Sequence, residues 1–70
     1  MQRIPVESSN IKSIGYDEKS ALLEVEFSDS GIYNYFNVPI FVFESLMQSN
    51  SKGEFLNEKI RFNYRYQKIL

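Results

Sequence analysis

The chain has 70 residues, with eight Lys/Arg against nine Asp/Glu, six Phe, five Tyr, and neither Cys nor His. Disulfides and a Cys/His zinc site are therefore excluded. A single domain of this size, which buries only about 60% of its unfolded surface, must rest on aromatic packing or self-association.

Charge is unevenly spread along the chain. Residues 1–51 carry three Lys/Arg against seven Asp/Glu, and residues 52–70 carry five against two. The C-terminal part is thus the candidate face for an acidic partner, or a solvated helix with a basic tail. Met1-Gln2-Arg3 leads straight into a strand-like segment. No apolar run of signal or membrane-spanning length is present, so a cytoplasmic, non-membrane domain is the expectation.

Ser8-Ser9-Asn10 reads as a loop or a bulge. Ile11 to Tyr16 reads as a first strand with Ile14 and Tyr16 on one face. Asp17 to Ser20 is a turn. From Ala21 to Ser28 the alternation is clear: Leu23, Val25 and Phe27 point one way, Glu24 and Glu26 the other. That pattern predicts a half-buried antiparallel strand with a solvated back. Ser28-Asp29-Ser30-Gly31 predicts a hairpin with a three-residue loop, Gly31 taking the left-handed position of a bulge. This loop places Phe27 opposite Tyr33 and Val25 opposite Tyr35. Both tyrosines then share the core face, because only an odd slip would invert them.

Val38-Pro39 ends the third strand, with Pro39 expected at the first helical position. On a helix from Ile40 to Ser49, Ile40, Val42, Phe43, Leu46 and Met47 form an apolar stripe. Phe41 falls off it, either packed on a neighbouring segment or exposed at a contact. Ser51 and Glu54 have capping-box spacing and predict a second helix with Phe55, Leu56 and Ile60 inward. Glu58 and Arg61 are expected to pair weakly. Asn57, Ile60, Arg61 and Tyr64 share one side if the helix persists. Residues 62–70 read as a final helical turn or a loosely ordered extended tail, although the aromatics at 62, 64 and 66 alternate as in a strand. The architecture expected is α+β: a three-stranded antiparallel meander followed by two helices on one sheet face.

Little in the sequence supports catalysis. The commonest general base and the commonest strong nucleophile are missing. Glu24 and Glu26 lie on a solvated face and Asp17-Glu18 in a turn, poor settings for a shifted carboxylate. The three glycines lack phosphate-loop or dinucleotide spacing, and no acidic loop has EF-hand spacing. A domain this small also offers little room for a ligand pocket. No cofactor and no metal are expected.

Three features suit binding instead. Tyr33 and Tyr35 either stack bases or lie as core residues beneath the helices. Arg61, Tyr64, Arg65, Tyr66 and Lys68 interleave cations with rings, which suits RNA phosphates and bases, or else close the core and expose their charges. Phe41, with Ile69 and Leu70, is a candidate for protein contact or self-association.

The run from Val6 to Tyr66 resembles the KTSC family. The matching residues are Val6-Glu7-Ser8-Ser9, Ile11, Gly15-Tyr16-Asp17, Leu23, Val25, Phe27 and Gly31. They continue with Tyr33-Asn34-Tyr35, Val38-Pro39, Leu46, Ser51, Gly53, Phe55, Asn57, Ile60-Arg61 and Tyr64. The resemblance implies a short bacterial or phage-type domain, related to an appendage of some lysyl-tRNA synthetases. Through that attachment it implies RNA as a partner. It also marks Ser8, Ser9, Ser51, Gly53 and Asn57 as motif positions with a structural role. Asn57 and Arg61 are candidates for hydrogen bonds to the Ser8-Ser9 loop.

Overall fold

The computed structural model describes residues 1–70. Its order is β1 (Ile4–Pro5), β2 (Ile11–Asp17), β3 (Leu22–Phe27), β4 (Gly31–Tyr35), α1 (Ile40–Gln48), α2 (Lys52–Phe55), a π-helical turn (Leu56–Ile60) and β5 (Tyr66–Lys68). All neighbouring strands pair antiparallel in a five-stranded sheet of order β1-β2-β3-β4-β5. The three-stranded expectation is therefore short by an edge strand at each side. Both edges are brief, and Pro5 and Lys68 discourage further strand addition there.

The inner face is built by the alternation. Leu23 and Val25 are fully buried beside Ile14, and Tyr35 is almost so. A bulge between Ile11 and Ser13 keeps both Ile11 and Ile14 inward although they are three residues apart. The hairpin has the expected three-residue loop, and Gly31 adopts φ 98°. The pairing, however, is Phe27 with Gly31, Val25 with Tyr33 and Leu23 with Tyr35. It differs by two residues from the expected partners, an even shift, so the tyrosines keep the core face.

The outer face is not a bare solvated surface. Met1, Gln2 and Arg3 pass across Gly15, where an added Cβ would lie 3.0–3.1 Å from them. Arg3 pairs with Glu24 and donates from Nε to Ser13 Oγ (3.1 Å), which donates to Glu26 Oε1 (2.9 Å). The ion pair of Arg3 with Glu24 ties the N-terminal segment to the outer face of the sheet.

Pro39 sits one position earlier than expected, at the N-cap of α1. Its carbonyl accepts from Val42 N (3.0 Å) and Phe43 N (3.3 Å). Leu46 is fully buried, with Val42, Phe43 and Met47 packed around the core; Ile40 leaves the stripe at 38% exposure. The capping box does not form, since Ser51 makes no side-chain cap bond. The connection is held instead by Ser49, whose Oγ accepts from Ser51 N and donates to Ser51 O. Each fully buried aliphatic side chain of this core contributes about 1.5–3 kcal/mol.

Candidate functional site

Beyond Phe55 the helix widens: Arg61 N donates to Leu56 O (2.9 Å), five residues back. This π-helical turn sends Leu56 and Ile60 into the core and leaves Asn57 and Arg61 exposed on its other side. Arg61 Nη1 donates to Asn57 Oδ1 (3.2 Å), in place of the expected pair with Glu58. Single π turns recur at functional sites because they displace side chains from ordinary helical positions.

The helix ends immediately afterwards. Asn63 N bonds Ile60 O (3.1 Å) and Asn63 Nδ2 bonds Lys59 O (2.8 Å). Tyr64 consequently does not continue a stripe with Asn57 and Arg61. It packs half-buried against the core. The chain then reverses and adds β5 to β4, placing Tyr66 opposite Tyr35, Gln67 opposite Asn34 and Lys68 opposite Tyr33. Residues 66–68 thus take the strand conformation their alternation allowed.

Between these parts lies an open cleft of about 750 Å³. Its floor holds Phe27, Tyr33, Tyr35 and Tyr66, and its walls are the loop Glu7-Ser8-Ser9-Asn10, residues Asn50 to Glu54, and Asn57 with Arg61. The expectation that so small a domain has no room for a ligand is overturned. This volume falls within the ordinary range for ligand sites. The sequence gives no direct sign of it, because the cleft arises from long-range approach. Gly53 lets the 8–10 loop come close: an added Cβ there would lie 3.4 Å from Asn10 Nδ2 and 3.7 Å from Ser8 Oγ.

The aromatic floor is one connected cluster. Phe27 and Tyr33 meet edge to face with centroids 5.4 Å apart; Tyr66 lies 5.8 Å from both Tyr33 and Tyr35. Tyr35 is 3% exposed. Tyr35 lines the cleft, and its hydroxyl makes no protein hydrogen bond and touches solvent there; the buried side-chain polar atom left unpaired is Asn34 Oδ1. Burial pushes the Tyr35 phenol up to about 12, against a smaller downward pull from the nearby Arg61 charge. The hydroxyl is therefore protonated at any physiological pH, and the guanidinium and phenol border the same space.

The charges at the cleft balance: Lys52 and Arg61 against Glu7 and Glu54. Lys52 Nζ is engaged by Ser49 O (3.1 Å). Arg61 spends one donor on Asn57 and lies over the Phe62 ring at 5.3 Å, leaving further donors toward the cleft.

Of the residues expected to bind, Tyr33, Tyr35, Tyr66 and Arg61 come together here, as do Ser8, Ser9, Ser51, Gly53 and Asn57. Arg65 does not line the cleft; its guanidinium lies 5.6 Å from the Phe36 ring. Lys68 reaches toward Gly31 rather than into the cleft. The expected bonds from Asn57 and Arg61 to Ser8-Ser9 are absent; Ser8 Oγ accepts from Asn10 N instead (3.4 Å). Phe41 is 66% exposed on α1, away from the cleft. No group of three or more acidic residues could hold a metal ion, and no helix is long and apolar enough to cross a membrane.

Comparison with known proteins identifies the family and the fold. The KTSC domain model matches residues 7–64. An uncharacterized protein of Stutzerimonas stutzeri is 39% identical across 99% of both chains. A lysine–tRNA ligase of Nostoc punctiforme is 35% identical over 63 residues, which are 90% of this chain but 11% of the ligase. The crystal structure of a KTSC domain protein from Yersinia pestis superposes with a TM-score of 0.97 at 40% identity, covering 99% of this chain and 97% of that one. The chain belongs to the KTSC domain family.

Proposed function

We propose that this KTSC domain is a non-catalytic binding module for single-stranded RNA, holding unpaired bases on the tyrosine floor of its cleft. The observation that carries the reading is the connected surface of Tyr33, Tyr35 and Tyr66 beside Arg61. Aromatic faces stack on any base, each stack contributing about 1–3 kcal/mol, and a guanidinium meets phosphate. The likeness to a small part of lysine–tRNA ligases supports an RNA partner. The hydroxyls of Ser8, Ser9 and Ser51 beside Glu7 and Glu54 have no His to serve as their base, which supports the non-catalytic reading.

Fluorescence anisotropy with labelled single-stranded RNA tests this. Tyr66→Ala, at a position 57% exposed and so harmless to the core, is expected to weaken binding about tenfold. Unchanged affinity would remove the stacking role. A second reading, contact with protein or with a second copy, is favoured by Phe41 and its neighbour Ile40 on the outer side of α1. It predicts a concentration-dependent mass that Phe41→Glu abolishes. A monomeric mass at all concentrations would set self-association aside.

A further inference from the structure

We propose that the cleft takes one nucleotide unit, with its phosphate held by Arg61 and the Tyr35 hydroxyl and its base against Tyr33 and Tyr66. This inference rests on the RNA reading and narrows it from a strand-tracking groove to a single-nucleotide site, such as a chain end or an unstacked base. Three observations carry it.

The first is the orphaned donor. Tyr35 is 3% exposed, and its hydroxyl has no protein partner while lining the cleft. A phenol hydroxyl with no protein partner that opens on a cleft bonds water there, and a ligand oxygen that displaces that water takes the same bond. The contrast lies within the same sheet face, where Tyr16 Oη donates to Val38 O at 2.6 Å.

The second is the sign of the groups. A guanidinium has donors only, and a phenol that stays protonated supplies a donor beside it. Two donors lining one cleft, one of them charged, suit an anionic oxygen cluster such as phosphate.

The third is the charge count. Lys52 is tethered by one of its three donors to Ser49 O, and Glu7 and Glu54 line the same opening, so Arg61, with Lys52 at most beside it, meets a phosphate in the cleft. Arg65 lies over Phe36 and Lys68 reaches toward Gly31. A groove that follows several phosphates needs a row of cations, and each contact steepens the salt dependence. Here two cations face two carboxylates, and no row of cations forms.

The test compares adenosine and uridine 5′-monophosphates with a single-stranded tetranucleotide, by NMR amide shifts and by affinity over a range of salt. The expected result is that monophosphates and tetranucleotide perturb the same residues, Tyr35, Asn57, Arg61 and Tyr66. The salt slope of log affinity is expected at about −0.7, the value for one phosphate contact. Arg61→Gln is expected to weaken binding about tenfold and flatten that slope. Tyr35→Phe keeps the ring and the fold, verified by an unchanged near-ultraviolet spectrum, and weakens binding about fivefold. A tetranucleotide that binds with a slope of about −1.4 or steeper, or that binds where monophosphates do not, overturns the single-nucleotide site and leaves RNA binding standing. Monophosphates that bind while the tetranucleotide is excluded keep the one-unit site and overturn RNA as its source. Binding by neither overturns both.

Discussion

Two tyrosines on one sheet face, Tyr16 half-buried and Tyr35 buried, meet opposite fates. Tyr16, at the α1 end, stacks on Phe43 with centroids 4.7 Å apart and planes within 8°, and its hydroxyl is satisfied by Val38 O. Tyr35, in the same row two strands across through Leu23, has its ring packed but its hydroxyl without a protein partner at the cleft. The α1 end is closed, every polar atom of its tyrosine matched. The other end is held open by β5, the 8–10 loop and the π-helical turn. The difference teaches where to look for function in a small domain: a core that completes its own hydrogen bonds is scaffold, and one that leaves a donor at a surface opening is a site.

The strongest way to break this contrast is to loosen the open end alone. Gly31 adopts φ 98°, and an added Cβ would lie 2.0 Å from Leu70 O. Gly31→Ala is expected to cost about 3 kcal/mol, combining left-handed strain with a clash, and to undock β5 while Tyr16 and Phe43 remain in place. Denaturant melts and hydrogen exchange of Gln67 and Lys68 amides would show it; an unchanged stability would mean that the chain end yields freely.

Alkaline pH separates the two regions next. The Tyr35 phenol stands at about 12, above its ordinary 10.0. Between those values the unfolded chain has lost this proton and the folded one retains it, so stability falls as pH rises from about 10 to 12, by about 2–3 kcal/mol. Tyr16 is raised too, chiefly by burial and also by Glu18 and Asp17, and acts in the same direction. Tyr35→Phe is expected to remove most of the loss, and thermal melts across that range would check it.

Tyr16→Phe and Tyr35→Phe sharpen the comparison further. The first deletes a made bond and leaves Val38 O without its partner, at a cost of about 1 kcal/mol. The second deletes a hydroxyl with no protein partner and is expected to leave stability at neutral pH within about 0.5 kcal/mol of the parent. Equal losses from the two would erase the distinction.

The smallest effect is expected at the turn beside the closed end. Ala21 holds φ 54°, a left-handed conformation costly to a residue with a Cβ, and its carbonyl accepts from Val38 N (2.9 Å). Ala21→Gly is expected to stabilise by about 0.5 kcal/mol, relief of strain exceeding the added freedom of the unfolded chain. A lower melting temperature would show that the strain is slight.

Much of the closed region was legible in the sequence, because it depends on local periodicity. The alternation of Leu23, Val25 and Phe27 names the inner face, and Gly31 names the loop that keeps Tyr33 and Tyr35 on it. The α1 stripe lost only Ile40, which its place in the first turn leaves near solvent. The open region was read in pieces. Tyr33, Tyr35, Tyr66 and Arg61 stood out as residue types, but their meeting depends on β5 returning to β4. The segment after Arg3 reads as strand-like, but the two residues Ile4–Pro5 carry too little pattern to count as a strand of the sheet. The Ser51 spacing suited a capping box, yet the Ser49 hydroxyl took the local bond. Nor does a π-helical turn announce itself: Leu56 and Ile60 sit four apart as in any α-helix, and only the bond from Arg61 N to Leu56 O tells them apart. Arg65 looked equivalent to Arg61 by type, and tertiary packing sent it to Phe36.

One amide titration, single-stranded RNA added to the isotopically labelled domain at low salt, bears most directly on the claim that the open end is the binding end. Shifts are predicted to gather at Tyr33, Tyr35, Asn57, Arg61 and Tyr66, with Tyr16, Val38 and Phe43 silent. Shifts centred on α1 around Phe41, or none at any residue, would contradict it.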